Sequence, residues 1–264
     1  MGSKSPGQVL RTFIFKNSFD QQDMSNNNWI LGIQNIVFDL GGVVIDLDRS
    51  RAVNQLEALG LRNVNDLLGQ YVQKQPFLGL ETGHLTAGEF FDLLRAECAQ
   101  NSGKTPTDTQ LTEAFNAFLV RIPEERLQRL RELRLAGFRI FALSNTNPVM
   151  FNSWIARAFR AEGGYIQDYF DGLVLSFQEL TCKPDPHIFE TVLRRYGLSG
   201  QQTLMLDDSE ANCRAAAEIG MHALRVGDTP QDNMMAYTGL LLQTRAQMLA
   251  AQEGDEFPGG EERG

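Results

Sequence analysis

The sequence predicts an α/β protein: a doubly wound parallel sheet, with a helical block inserted after its first strand. Two observations carry this. Short apolar, β-favouring runs alternate with amphipathic helical stretches from about residue 121 to residue 240. Between Arg51 and Val120 the periodicity is helical throughout, with no convincing strand. The expected division is a core of residues 31–50 and 121–240, a helical cap of 51–120, a leader of 1–30 and a polar, acidic tail of 241–264.

Taken in order, Met1 to Asn28 is polar apart from Phe13-Ile14-Phe15 and reads as a poorly ordered leader, with Met24 a second possible start. Strand one runs from about Gln34 to Phe38 and is apolar enough to be buried on both faces. Asp39 closes it. Gly41 and Gly42 follow and allow close approach of backbone to a ligand. Val43 to Asp48 alternates apolar and acidic residues, as a hairpin-like flap would. In the helical block, Val53, Leu56 and Leu59 form one stripe that Gly60 ends. Thr86-Ala87-Gly88-Glu89 is a capping box, and Leu111, Phe115, Phe118 and Leu119 form another stripe.

Pro123 opens a helix carrying Leu127, Leu130, Leu133 and Leu135, stopped by Gly137. Its arginines read as a solvated face. Strand two is Arg139 to Leu143, ending in Ser144-Asn145, and a helical stretch follows to about Phe159. Leu173 to Leu175 is the next strand. Lys183-Pro184-Asp185-Pro186 leads into a helix that Gly197 ends. Thr203 to Leu206 is a strand ending in Asp207-Asp208. A helix from Ser209 to Ile219 and a last strand from His222 to Val226 follow. From about Gln243 a polar helix gives way to an acidic tail, Gly254 to Gly264, expected to be disordered.

Composition narrows the function. A net charge of −9 disfavours a nucleic-acid backbone as partner, though a small anion can still find a locally positive site. Cys98, Cys182 and Cys213 are few, odd in number and far apart, which suits free thiols in a reducing cytoplasm. No apolar run approaches the ~20 residues of a membrane span, and no h-region marks a signal peptide. Nothing in the chain bears on its oligomeric state.

In a parallel sheet all carboxyl ends lie on one edge. That edge gathers Asp39, Ser144-Asn145 and Asp207-Asp208, with Lys183 at a helix start. Three acids together call for a divalent cation, and oxygen-only ligands favour Mg²⁺. Lys183, Ser144 and backbone N–H groups would add a place for a phosphate oxyanion.

The order Phe38-Asp39-Leu40-Gly41-Gly42-Val43, Leu143-Ser144-Asn145, Lys183-Pro184 and Leu206-Asp207-Asp208 resembles the four motifs of the haloacid dehalogenase-like (HAD) hydrolase superfamily, whose core is a Rossmann-like α/β sheet. The resemblance covers about Gln34 to Thr229. The helical insert resembles that superfamily's C1 cap. Asp-Leu-Gly-Gly-Val, Leu-Ser-Asn-Thr-Asn and Lys-Pro-Asp-Pro look like the branch that contains α-D-glucose-1-phosphate phosphatases.

The resemblance implies a Mg²⁺-dependent phosphoric monoester hydrolase acting on a small phosphorylated metabolite, hexose phosphates among the candidates. Asp39 matches the nucleophile that becomes an aspartyl-phosphate. Ser144 and the Asn145 amide match the phosphate-holding motif. Lys183 matches the lysine that neutralises nucleophile and phosphoryl charge. Asp39, the Gly41 carbonyl, Asp207 and Asp208 match the metal ligands. Asn212 stands where the family often has a further acid. Phe77, Glu81, Thr82, Gly83 and His84 fall on a loop between cap helices that would face the core site, with His84 read as a surface histidine and Cys182 as packing.

Gly41 departs from the pattern. Most family phosphatases have a second Asp there, which protonates the leaving group and then activates water. Such help is worth ~10²–10⁴-fold. Asp46 on the flap is a candidate replacement. Two rival readings stand beside the phosphatase: a phospho-ligand-binding protein that lost hydrolysis, which Gly41 favours, and a 2-haloacid dehalogenase, which the paired acids Asp207-Asp208 disfavour.

Overall fold

The computed structural model describes residues 29–69 and 71–255. The polar leader through Asn28, with Phe13-Ile14-Phe15 and Met24, lies outside the described residues, as does the acidic end from Glu256. Seven strands occur among the described residues: β1 Asn35–Phe38, β2 Asp46–Leu47, β3 Leu119–Arg121, β4 Arg139–Ser144, β5 Gly172–Leu175, β6 Thr203–Asp207 and β7 His222–Arg225. Five form a sheet in the order β5-β4-β1-β6-β7, and every pairing in it is parallel. The chain steps outward from β1 through β4 to β5, then crosses back to β6 on the other side. The carboxyl ends of β1, β4 and β6 therefore lie side by side at a switch point, where ligands bind in sheets of this kind.

Alternation along the strands explains the two covered faces. Ile36 and Phe38, Ile140 and Ala142, and Leu204 and Leu206 enter one apolar cluster. Val37, Phe141, Leu143 and Met205 enter a second, against Ile188, Phe189 and Val192 of the Pro186–Tyr196 helix and Ala215 and Ala216 of the Glu210–Glu218 helix. A strand buried on both faces has no polar side to show, which is why its sequence reads as a continuous apolar run.

The insert after β2 holds helices Arg49–Ala58, Val64–Leu67, Phe77–Glu81, Ala87–Ser102 and Asp108–Asn116. The capping box at Thr86 and Glu89 is formed, and a second one joins Thr107 and Gln110. Phe77, Phe90 and Phe115 pack edge-on or tilted at the centre of the insert, with ring centroids 5.3 to 5.6 Å apart.

Several expectations need correction. The stripe Leu111, Phe115, Phe118 and Leu119 is not one helix. The helix ends at Asn116, and Leu119 opens β3, which pairs antiparallel with β2. The flap is thus one half of a small sheet completed by the returning chain. Its alternation does not set its faces either, since Val43, Val44 and Ile45 are all buried. In the Glu124–Leu135 helix, Leu127, Leu130 and Leu133 are buried, but Leu135 is 89% exposed. The arginines of that helix are not a bare solvated face. Arg126 pairs with Asp46, Arg129 donates to Thr238 and to the Met235 carbonyl, Arg131 donates to the Tyr169 hydroxyl, and Arg134 reaches Asp171. At the amino-terminal end, Ile30 is buried and Trp29 stacks on His222 at 4.5 Å.

The largest correction lies at the carboxyl-terminal end. The last helix spans Met234–Asp255 and begins well before Gln243. Met234, Tyr237 and Leu241 belong to the main apolar cluster. The helix packs on the Glu124–Leu135 helix and on the turn Ile30–Gly32. Leu241, placed by its sequence at the start of a tail, is a core residue. Leu241→Ala is therefore expected to cost ~2–5 kcal/mol, the range for truncating a buried leucine. Urea unfolding reads this directly, and a midpoint that does not move would return Leu241 to a solvated tail.

Candidate active site

The site begins with a buried ammonium. Lys183 precedes the Pro186–Tyr196 helix, and its side chain is fully buried. An ammonium has three N–H donors and no acceptor. Lys183 Nζ donates to the Leu143 carbonyl on β4 at 3.0 Å, to Asp207 Oδ2 at the end of β6 at 2.7 Å, and pairs with Asp39 Oδ1 after β1 at 2.9 Å. Three neighbouring strands thus contribute one acceptor each. Burial by itself would favour the neutral amine, but Asp207 and Asp39 outweigh it and hold the ammonium charged.

The backbone of Lys183 is fixed as firmly as its head. Asn145 Nδ2 donates to the Lys183 carbonyl at 2.9 Å, and the Lys183 N–H donates to Asn145 Oδ1 at 2.8 Å. This reciprocal clamp was not foreseen. Sequence reasoning assigned Asn145 through its backbone amide, and a side-chain clamp between positions far apart in the chain leaves no local pattern. Ser144, buried at the end of β4, lines the same cavity as Asp39, Asn145 and Lys183. Beyond it, Thr146 is tied by two hydrogen bonds to Ser176, and Asn147 Oδ1 caps the following helix by accepting from the Met150 N–H.

The acids divide by environment. Asp207 is fully buried. Its Oδ1 accepts from the Ser209 N–H and from Asn212 Nδ2, both at 2.9 Å, while its Oδ2 faces Lys183. Asn212 thus holds Asp207. Asp39 Oδ1 also accepts from the Leu40 N–H at 2.7 Å. Asp208 is half-buried and lines the cavity. Its carboxylate lies so close to Gly42, at a φ of +73°, that a Cβ there would fall 2.3 Å from Oδ2. Only glycine suits both the turn and the approach.

One carboxylate oxygen from each of Asp39, Asp207 and Asp208 comes within 4.8 Å of the other two. Burial, with the two neighbouring acids, outweighs Lys183 and raises the Asp39 carboxyl well above its ordinary range. Burial and then Asp207 push Asp208 up to about 6. Three carboxylates against one ammonium leave two surplus negative charges in an all-oxygen donor set. A hard divalent cation fits that charge and those donors. Gly41, with no side chain to offer, lines the same cavity.

The insert closes this cavity from the other side. Phe77 and Glu81 line it, as their sequence placement required, but they lie on a helix and not on a loop. Gly83 does not line it. At a φ of +70°, a Cβ on Gly83 would stand 2.1 Å from the Phe177 carbonyl oxygen, so this turn docks against the core helix Ser176–Glu179. His84 is on the surface beside Thr82. Tyr71 was missed. It lines the cavity and takes a hydrogen bond from Arg225, whose Nε donates to the Asp208 carbonyl at 3.1 Å. Asp46 is paired with Arg121 at 3.0 Å and Arg126 at 2.9 Å and is not among the lining residues. Burial pushes the Cys182 thiol up to about 11, which keeps it protonated.

Lys183→Met is expected to cost ~3–5 kcal/mol of unfolding free energy in the presence of a chelator, because it leaves Asp39 and Asp207 buried without their cation. Denaturant unfolding measures it. A variant as stable as the parent would mean that the acids are solvated or protonated and that Lys183 does not hold them.

Comparison with known proteins agrees with this arrangement. The model of the haloacid dehalogenase-like hydrolases matches residues 33–220. A D-ribitol-5-phosphate phosphatase of Bacteroides thetaiotaomicron is 33% identical over 193 residues, covering 73% of this chain and 91% of that protein. A HAD family enzyme of the same organism, solved with magnesium and inorganic phosphate, superposes with a TM-score of 0.66 at 34% identity, over 74% of this chain and 94% of that one. A HAD-like hydrolase of Porphyromonas gingivalis gives a TM-score of 0.69 at 33% identity, over 79% and 98%. Sheet order, the acid cluster and these matches together establish that the chain belongs to the haloacid dehalogenase-like hydrolase family.

Proposed function

We propose that the protein is a Mg²⁺-dependent phosphatase that hydrolyses a small phosphorylated sugar or polyol through an aspartyl-phosphate on Asp39. The observation that carries this reading is the convergence of Asp39, Lys183 and Asp208 in one cavity beside Ser144 and Asn145. The magnesium and phosphate bound by the Bacteroides structure and the polyol phosphate named for the Bacteroides relative support it.

In this reading Asp39 attacks phosphorus, and the ester oxygen leaves. Lys183, 2.9 Å from Asp39, offsets the charge that the incoming phosphoryl group brings to a buried carboxylate. Ser144 and the Asn145 amide hold the phosphoryl oxygens at the end of β4. Asp207 orients Lys183, and Asn212 orients Asp207. Asp39, Asp208 and Asp207, with the Gly41 carbonyl, would hold Mg²⁺, which when bound supplies charge stabilisation for the transferring oxygens. Helices of residues 51–120 act as a C1-type cap. Phe77 bounds the cavity with an apolar wall, and Glu81 offers it one carboxyl group. A small, capped cavity with a few convergent polar groups suits a metabolite and not a polymer. Among the described residues no helix is long and apolar enough to cross a membrane.

The test is phosphate release from a panel of sugar and polyol phosphates and from p-nitrophenyl phosphate, with and without Mg²⁺, beside Asp39→Asn. Release that needs both Mg²⁺ and Asp39 is the expected result. No release from any ester by a protein that still binds inorganic phosphate would favour a binding protein instead. Asp46→Asn is expected to leave turnover unchanged, since two arginines hold that carboxylate away from the cavity. A large loss in this variant would restore Asp46 as the missing acid.

A further inference from the structure

Gly41 leaves the phosphatase reading without a proton donor, and the cavity contains one carboxyl group with no other task. Its acidic lining residues are Asp39, Asp208 and Glu81. The first two serve the nucleophilic and metal roles. Glu81, only 9% exposed, makes no hydrogen bond or ion pair with another described residue. With no partner among the described residues, its carboxyl opens onto the cavity, where a ligand can meet it. It is also held in place. The helix Phe77–Glu81 is anchored at one end by the aromatic cluster around Phe77 and at the other by the Gly83 turn against the Phe177 carbonyl. The charged and titratable groups around Glu81 are Lys183 and Cys182, which act on it electrostatically, and Asp39, Asp208 and Tyr71 with its Arg225 partner, which belong to the same cavity.

We infer that Glu81 is the general acid and base of the reaction, supplied by the insert in place of the residue missing at Gly41. The inference rests on the phosphatase reading above. As Asp39 forms its bond to phosphorus and the ester P–O bond breaks, the Glu81 carboxyl gives its proton to the departing alcohol oxygen. The Glu81 carboxylate then takes a proton from the water whose oxygen attacks the aspartyl-phosphate. The Asp39–phosphorus bond breaks, Asp39 returns as carboxylate, and inorganic phosphate leaves. Each proton given is regained, so one water is consumed per ester.

Burial raises the Glu81 carboxyl to about 8 against a smaller opposing pull from Lys183, so it carries its proton at neutral pH. A carboxyl that is an acid near the working pH can give and retake a proton in one cycle.

The experiment compares Glu81→Gln with the parent, with Mg²⁺, on D-ribitol 5-phosphate (or whichever sugar phosphate the panel turns over fastest) and on p-nitrophenyl phosphate. Alkyl-ester turnover should fall by ~10²–10⁴-fold, the usual worth of a general acid. With p-nitrophenyl phosphate, the first turnover should stay within a few-fold of the parent, because nitrophenolate leaves without a proton. Steady state should then slow, because the water step still needs a base. In the parent, kcat/KM on the alkyl ester should fall as pH rises through about 8, and the Gln variant should lack that limb.

Unchanged alkyl-ester turnover, or equal loss of the first turnover on both esters, would overturn the proposal and leave Glu81 a binding or packing residue. If the Gln variant does not fold, the parent alone decides through a series of aryl and alkyl phosphates. First-turnover rates that depend weakly on leaving-group acidity support a donor, and a steep dependence contradicts one. Asp39→Asn separates the two readings: Mg²⁺-dependent release that survives there sinks the Asp39 phosphoenzyme, whereas loss there with unchanged Glu81→Gln turnover sinks only the choice of Glu81.

Discussion

The buried Lys183 ammonium is the interaction on which the rest of this structure depends. A charge wholly removed from water is tolerable only when paired and hydrogen-bonded. Lys183 meets that condition only if β1, β4 and β6 are adjacent, parallel and in register, because each supplies one of its three acceptors. The central order β4-β1-β6 of the sheet and the placement of one ammonium therefore depend on each other. The acids gathered for the cation exceed it by two charges. That imbalance makes the site a binding place for a divalent cation as well as the keystone of the sheet edge.

The insert contributes the other half of the site, and two of its ties to the core bear on that site. Tyr71 reaches Arg225, which in turn holds the Asp208 carbonyl, and the Gly83 turn sits against Phe177 beside Ser176. Ser176 is itself bonded to Thr146, two residues past Ser144. Both ties end on the segments that carry the core's site residues. The cavity wall formed by Phe77 and Glu81 is accordingly positioned by backbone packing at one end and by a hydrogen-bond relay at the other. An insert docked in this way can carry a group that the core lacks.

Much of the fold could be read from residue order, for reasons that differ by element. β1, β4 and β6 are buried on both faces, so each is a continuous apolar run that no helix period imitates. Glycines at 60, 137, 197 and 220 mark true chain reversals, each at positive φ. Asp39, Lys183, Asp207 and Asp208 were legible because strand ends of a parallel sheet share an edge. What escaped depended on distant partners. Leu119 looked helical because its neighbours Leu111 and Phe115 are, and only pairing with β2 makes it a strand. The arginines of the Glu124–Leu135 helix looked solvated because their partners, Asp46, Tyr169 and Thr238, lie far away in the chain. The last helix looked polar because only its portion from Gln243 was read as helix, whereas its buried residues, Met234, Tyr237 and Leu241 among them, lie in the apolar stretch before that. Asn145 has a second task that residue order did not show: its side chain fixes the Lys183 backbone, a contact across 38 positions.

The central claim is that the carboxylate held beside Lys183 accepts the phosphoryl group. Acid quenching during turnover, followed by borohydride reduction and peptide mass spectrometry, tests it most directly, since an acyl phosphate is reduced and an ordinary carboxylate is not. The account predicts reduction of Asp39 to the corresponding alcohol, dependent on substrate and absent without it. Modification of a different acid, or none while phosphate is being released, would contradict the claim and point to direct attack by water.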